Sequence, residues 1–105
     1  MNRFYLLKRA IKYWLQKLFR GYSDKDTWNL DYTLAEWFVP RLKLFRKLHS
    51  GYPCNVTEQE WNTILDEMIE GFESVAQQQW GDEATSKKQQ RAFELLKEWH
   101  FHLWW

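Results

Sequence analysis

Arg41 and Lys43 are the residues of this sequence best suited to holding a ligand. They follow Pro40, and Trp28, Tyr32 and Tyr52 supply aromatic rings on either side of them in the chain. An arginine offers a planar fork of donors that matches phosphate or carboxylate, and neighbouring rings can stack on a base. Together they describe an anion site in a pocket opened by a proline kink. A structural reading competes with it. At 100° per residue, Leu34, Phe38, Arg41 and Phe45 fall in one narrow arc of a helix, with Asp31 at its edge. A charge inside an apolar stripe is costly unless it is paired. Asp31 or Asp66 is then the expected partner, which is the preferred reading for Arg41 itself, with ligand contacts left to its neighbours. An arginine so paired would cost on the order of 3–5 kcal/mol to remove.

Other chemistry is thinly represented. His100 and His102 are two residues apart and diverge on a helix, and Glu98 with His102 supplies only two ligands, so no metal is expected. No Glu-x-x-His pair points to a di-iron bundle. Asp66, Glu70 and Glu73 share one helical face and read as solvated. Cys54, the single cysteine, excludes an internal disulfide, suits a reducing compartment, and has no histidine beside it. Neither a G-x-S-x-G elbow nor a glycine-rich phosphate loop is present. A non-catalytic protein without a cofactor is expected.

The elements that would position these residues are four helices, with no sustained period-two alternation. The first spans about Asn2 to Arg20, with Phe4, Leu7, Ile11, Trp14, Leu15 and Leu18 as its stripe and Gly21 as its stop. The second starts near Ser23–Asp26 and carries Leu30, Leu34, Trp37, Phe38, Phe45 and Leu48, with a kink expected at Pro40. Thr57-Glu58-Gln59-Glu60 is a capping box with Val56 and Trp61 as a hydrophobic staple. The helix it opens buries Trp61, Leu65, Met68, Phe72 and Val75 and ends near Gln77–Gly81. The fourth begins at Asp82 or Thr85 and turns Ala92, Leu95, Leu96, Trp99 and Leu103 to one side. The expected fold is a single all-α domain over residues 1–105, a small bundle of about four helices. Residues 1–20 form a basic amphipathic helix and 21–105 the three-helix remainder.

A chain of 105 residues with eight Trp, seven Phe and five Tyr holds more aromatic surface than one small core needs, so a homo-oligomer or a ligand surface is expected. The net charge of +1 hides an asymmetry. Residues 1–50 carry 11 Lys/Arg against 4 Asp/Glu, and residues 51–105 carry 4 against 10. The first helix has Arg3, Lys8, Arg9, Lys12, Lys17 and Arg20 and no acid. An ordinary packed helix with a solvated basic face is the preferred reading, ahead of an anionic membrane surface or nucleic acid. No window is long and apolar enough to span a bilayer, and the basic amino terminus lacks the apolar stretch of a secretory signal.

The runs "GYSDKDTWNLDYTLAEWFVPRLKLFRKL", "GYP" and "EWNTILDEMIEGFE" resemble a family of small proteins encoded by tailed bacteriophages. The resemblance covers residues 21–73 and leaves out the first and fourth helices. It implies phage origin and expression in the host bacterial cytoplasm, and it brings no activity or site residues. By analogy with small phage proteins generally, it implies counter-defence by binding. The preferred form is a sponge that sequesters a host immune signalling nucleotide through Arg41, Lys43 and nearby aromatics. The alternatives are an anti-CRISPR-like inhibitor that blocks a host defence complex by direct contact, and a phage structural or assembly protein.

Overall fold

The computed structural model describes residues 3–104. They are all-α, with four helices and no strand among the described residues: α1 (Arg3–Arg20), α2 (Leu30–Leu48), α3 (Glu58–Ala76) and α4 (Glu83–Trp99). Short 3-10 turns occupy Asp24–Thr27 and His100–His102. Asn2, where the first helix was expected to start, lies outside the described residues. The chain divides into two compact units, Met1–Thr33 and Leu34–Trp105, with the boundary in the first turn of α2.

The second unit holds the core. Thr57 caps α3 as its sequence dictates: its hydroxyl accepts from the Glu60 amide at 3.1 Å, and the Glu60 carboxylate accepts from the Thr57 amide at 3.4 Å. Trp61, Leu65, Met68, Phe72 and Val75 are all buried along one face. α4 starts at Asp82, whose carboxylate accepts from the Thr85 amide at 2.6 Å. It turns Ala92, Leu95 and Trp99 into the same core. The two helices run antiparallel, with Trp61 edge-on to Trp99 at one end, Arg91 on Glu67 midway and Lys88 on Glu70 beyond. They meet closely at Gly71, where a Cβ would collide with the Ala92 Cβ and the Lys88 carbonyl oxygen.

α2 lies antiparallel to α3 across longer side chains. Phe38 stands edge-on to Phe72, Lys43 pairs with Glu73, Arg46 with Asp66, and His49 meets Asn62. Here the structure corrects the expected stripe. Only Ala35, Val39 and Leu42 of α2 are buried, with Phe38 and Phe45 half-buried beside them. Leu30, Leu34, Trp37 and Leu48, four of the six residues assigned to the inward face, are exposed. The helix runs unbroken from Leu30 to Leu48 through Pro40, which is itself exposed.

Within the first unit none of the described residues of α1 is buried. The contacts joining it to the 3-10 turn come from its polar side. Gln16 and Asp24 exchange two hydrogen bonds, at 2.8 and 2.9 Å, and Arg20 binds the same carboxylate at 3.0 Å. Arg9 bonds the Tyr13 hydroxyl and lies over the Trp28 ring, with Tyr13 edge-on to Trp28. The Gln16 amide, and then the Arg20 guanidinium, hold the Asp24 carboxyl below the ordinary aspartate value of 3.8.

Two outcomes follow from these contacts. Gly71→Ala forces α3 and α4 apart and lowers stability by about 1–3 kcal/mol or more, read from the urea midpoint. Because the Asp24 carboxyl is lowered in the folded state, its contribution is complete above the ordinary carboxylate range. That contribution is lost as pH falls through the lowered folded value. NMR titration of Asp24 should therefore show a midpoint below 3.8 that moves upward in Gln16→Ala.

Candidate functional site

The periodicity of α2 explains why its inward face was misassigned. Leu34, Trp37, Arg41, Leu44 and Leu48 follow one another at steps of three, four, three and four residues. This is the heptad spacing of a helix-on-helix seam. The buried set Ala35, Val39 and Leu42 keeps its own helical period, on an arc about 140° away at 100° per residue. α2 thus carries two apolar stripes. The regular one faces outward: Leu34, Trp37, Leu44 and Leu48 are 49, 55, 54 and 47% exposed.

Arg41 sits in the middle of the outer stripe. Its guanidinium lies 4.3 Å from the centre of the Trp37 ring, and Nη1 donates to the Trp37 carbonyl at 2.8 Å. Among the described residues no carboxylate pairs with it. The expected partners do not serve: Asp66 takes Arg46 at 3.0 Å, and Asp31 makes no ion pair among the described residues. The reason is geometric. Asp66 lies across from the inner side of α2, where Arg46 projects and Arg41 does not. Beside Arg41 is a shallow hollow of about 170 Å³, walled by Trp37, Phe38, Leu42, Phe45 and Leu103.

The remaining residues of the expected ligand site occupy separate settings. Lys43, two residues on and so rotated about 200° from Arg41, is held by Glu73 at 2.9 Å. Tyr52 is exposed and lines a cleft of about 230 Å³ with Ser50, Gly51, Pro53, His102 and Trp104. Trp28 belongs to the first unit, where Arg9 and Tyr13 engage it, and Tyr32 of the same unit is half-buried. Within the second unit, Arg41, Lys43 and Tyr52 therefore do not converge on one anion. Sequence reasoning missed Leu44 altogether, although its place in the three-four spacing with Trp37 and Leu48 was a readable signal.

The site so described is a convex aromatic and aliphatic face around one cation. Trp and Arg are the side chains most enriched at the energetic centres of protein interfaces. The absence of an internal carboxylate has a direct consequence for stability. Arg41→Ala should change the unfolding free energy by about 1 kcal/mol or less in a urea melt, the loss of a surface cation–aromatic contact. A loss of about 3–5 kcal/mol would mean that the arginine neutralises a buried charge. The chain matches no family model, no curated protein and no solved structure.

Proposed function

We propose that the protein acts without catalysis, by docking the outer stripe of α2 against a helix of another protein. The observation that carries this reading is the exposed heptad-spaced row Leu34, Trp37, Leu44 and Leu48 centred on an arginine that pairs with no carboxylate among the described residues. A seam of this spacing receives a partner helix, and a single charge within it sets register and partner choice.

The partner is of a different kind from the chain itself. Two copies joined through this row in register, parallel or antiparallel about its midpoint, would set Arg41 against Arg41 in a desolvated seam. Like charges so placed disfavour the pairing. The complementary surface is an amphipathic helix with a carboxylate among apolar residues. A nucleotide sponge finds less support. The hollow beside Arg41 is smaller than the roughly 300–1,000 Å³ typical of small-ligand pockets, and Lys43 is committed to Glu73. Together with the resemblance to tailed-phage proteins, this face favours a counter-defence protein that blocks a host immune complex by direct contact.

A photocrosslinking residue placed at Leu44 in the bacterial host is the test, with Gln79 as the control position. A host protein adduct at position 44, absent at 79, is expected. Trp37→Ala should weaken that association at least tenfold, on the order of 2 kcal/mol for an interface centre, and Arg41→Glu should abolish it. A phage capsid or tail protein as the adduct would instead make this an assembly protein. No adduct, together with a nucleotide released on denaturation, would overturn docking in favour of the sponge.

A further inference from the structure

α1 keeps its polar side for the 3-10 turn and presents its apolar side outward, the reverse of a helix that packs on a core. At 100° per residue Leu7, Ile11, Trp14, Leu15 and Leu18 fall within about 100° of arc, and all are exposed, Trp14 and Leu18 at 62% each. Lys8 borders the stripe on one side, and Arg3 and Lys17 border it on the other. No acidic residue occurs before Asp24. The side opposite the stripe carries Arg9, Tyr13, Gln16 and Arg20, which hold Trp28 and Asp24.

We propose that α1 lies on the surface of an anionic lipid bilayer, with its apolar stripe among the acyl chains. Three features select a bilayer. Cations on both borders of an apolar strip suit a planar interface, where lysine and arginine stems reach along apolar surface to the lipid phosphates. Eighteen helical residues lie flat over about 27 Å. No helix of the described residues is long and apolar enough to cross a membrane, so the contact is with one leaflet. A second copy of the chain is a poorer fit. Four of the six acids of α3 that would attract α1 are already paired, Asp66 with Arg46, Glu67 with Arg91, Glu70 with Lys88 and Glu73 with Lys43, which leaves Glu58 and Glu60 in the first turn. Nucleic acid is poorer still, since an apolar stripe between the cations has no counterpart in a phosphate backbone.

Co-sedimentation of the full chain with vesicles tests this. Vesicles containing phosphatidylglycerol in phosphatidylethanolamine should bind it at least tenfold more tightly than vesicles of phosphatidylcholine alone. Leu7→Gln combined with Ile11→Gln and Leu18→Gln should reduce binding at least tenfold while the charge is unchanged. Lys8→Gln with Lys17→Gln should remove the preference for the anionic vesicles. Trp37→Ala, on the other proposed surface, should leave vesicle binding unchanged, so the two proposals fail separately. Four results would overturn the bilayer: no sedimentation, equal binding to both vesicles, a dimer in solution that the triple glutamine variant dissociates, or duplex DNA bound as tightly by that variant as by the parent.

Discussion

Gly71 lets α3 approach α4 so closely that Ala92 and the Lys88 carbonyl fill the place of a side chain, and the arrangement of the second unit depends on that contact. Backbones this near leave no room for a side chain at Gly71 itself, and large rings meet elsewhere along the pair, Trp61 edge-on to Trp99 and Phe72 edge-on to Phe93. Trp61, Leu65, Met68 and Phe72 share one core with Ala92, Leu95 and Trp99 of α4 and Val39 and Leu42 of α2, and Phe72 reaches both Phe93 and Phe38. α2 meets α3 across phenylalanine, lysine, arginine and histidine side chains, and a narrow inner stripe is enough to complete the core. The close α3–α4 pair is what frees the rest of α2 for another use.

The parts legible in the sequence are those where local and tertiary signals coincide. α3 has a capping box, a single apolar face and a tertiary role for that face, so its start and its large buried side chains were readable, whereas buried Gly71 and Ser74 carry no such signal. α4 is similar, with Asp82 at its cap. α2 was legible as a helix but not in its rotation. Two apolar stripes on one helix merge into a broad one when only type and spacing are considered, and the more regular of the two faces solvent. α1 shows the complementary ambiguity. Periodicity reports that a helix is amphipathic, never which medium receives its apolar face. Of the residues singled out for ligand binding, Arg41 remains at the candidate face for a different reason, while Lys43 is tied to Glu73 and Trp28 to Arg9 and Tyr13.

Charge follows the same division. Residues 1–33 carry seven Lys/Arg against three Asp/Glu, a balance of +4; residues 34–105 carry eight against eleven, a balance of −3. In the second unit four of the six acids of α3 are divided between cations of α2 and of α4, so opposite charges flank the core. These pairs are partly exposed, and each adds little stability. Their value is orientational, since a helix rotated out of register would oppose like charges. In the first unit Asp24 gathers Lys12 and Arg20 and Asp26 feels the charge of Lys17, while among the described residues Lys8 and Arg3, also beside the apolar stripe, make no ion pair.

The conjunction of Arg41 with Pro40 has its explanation in the same geometry. A proline within a helix removes one amide donor and leaves the carbonyl four residues earlier, here that of Glu36, without its helical partner. Glu36 and Pro40 are both exposed, so water can satisfy that carbonyl at little cost. Arg41 adds a donor of its own to the neighbouring Trp37 carbonyl while lying on the Trp37 ring. At the centre of the inner side of α2, among Val39, Leu42 and Phe72, a freed carbonyl would find no water and a guanidinium would lack the carboxylate that Arg46 finds in Asp66. Their outward placement accords with the rotation that buries Ala35, Val39 and Leu42. It also means that Leu34, Trp37, Leu44 and Leu48, carried on that same outward side, contribute nothing to this chain's own core.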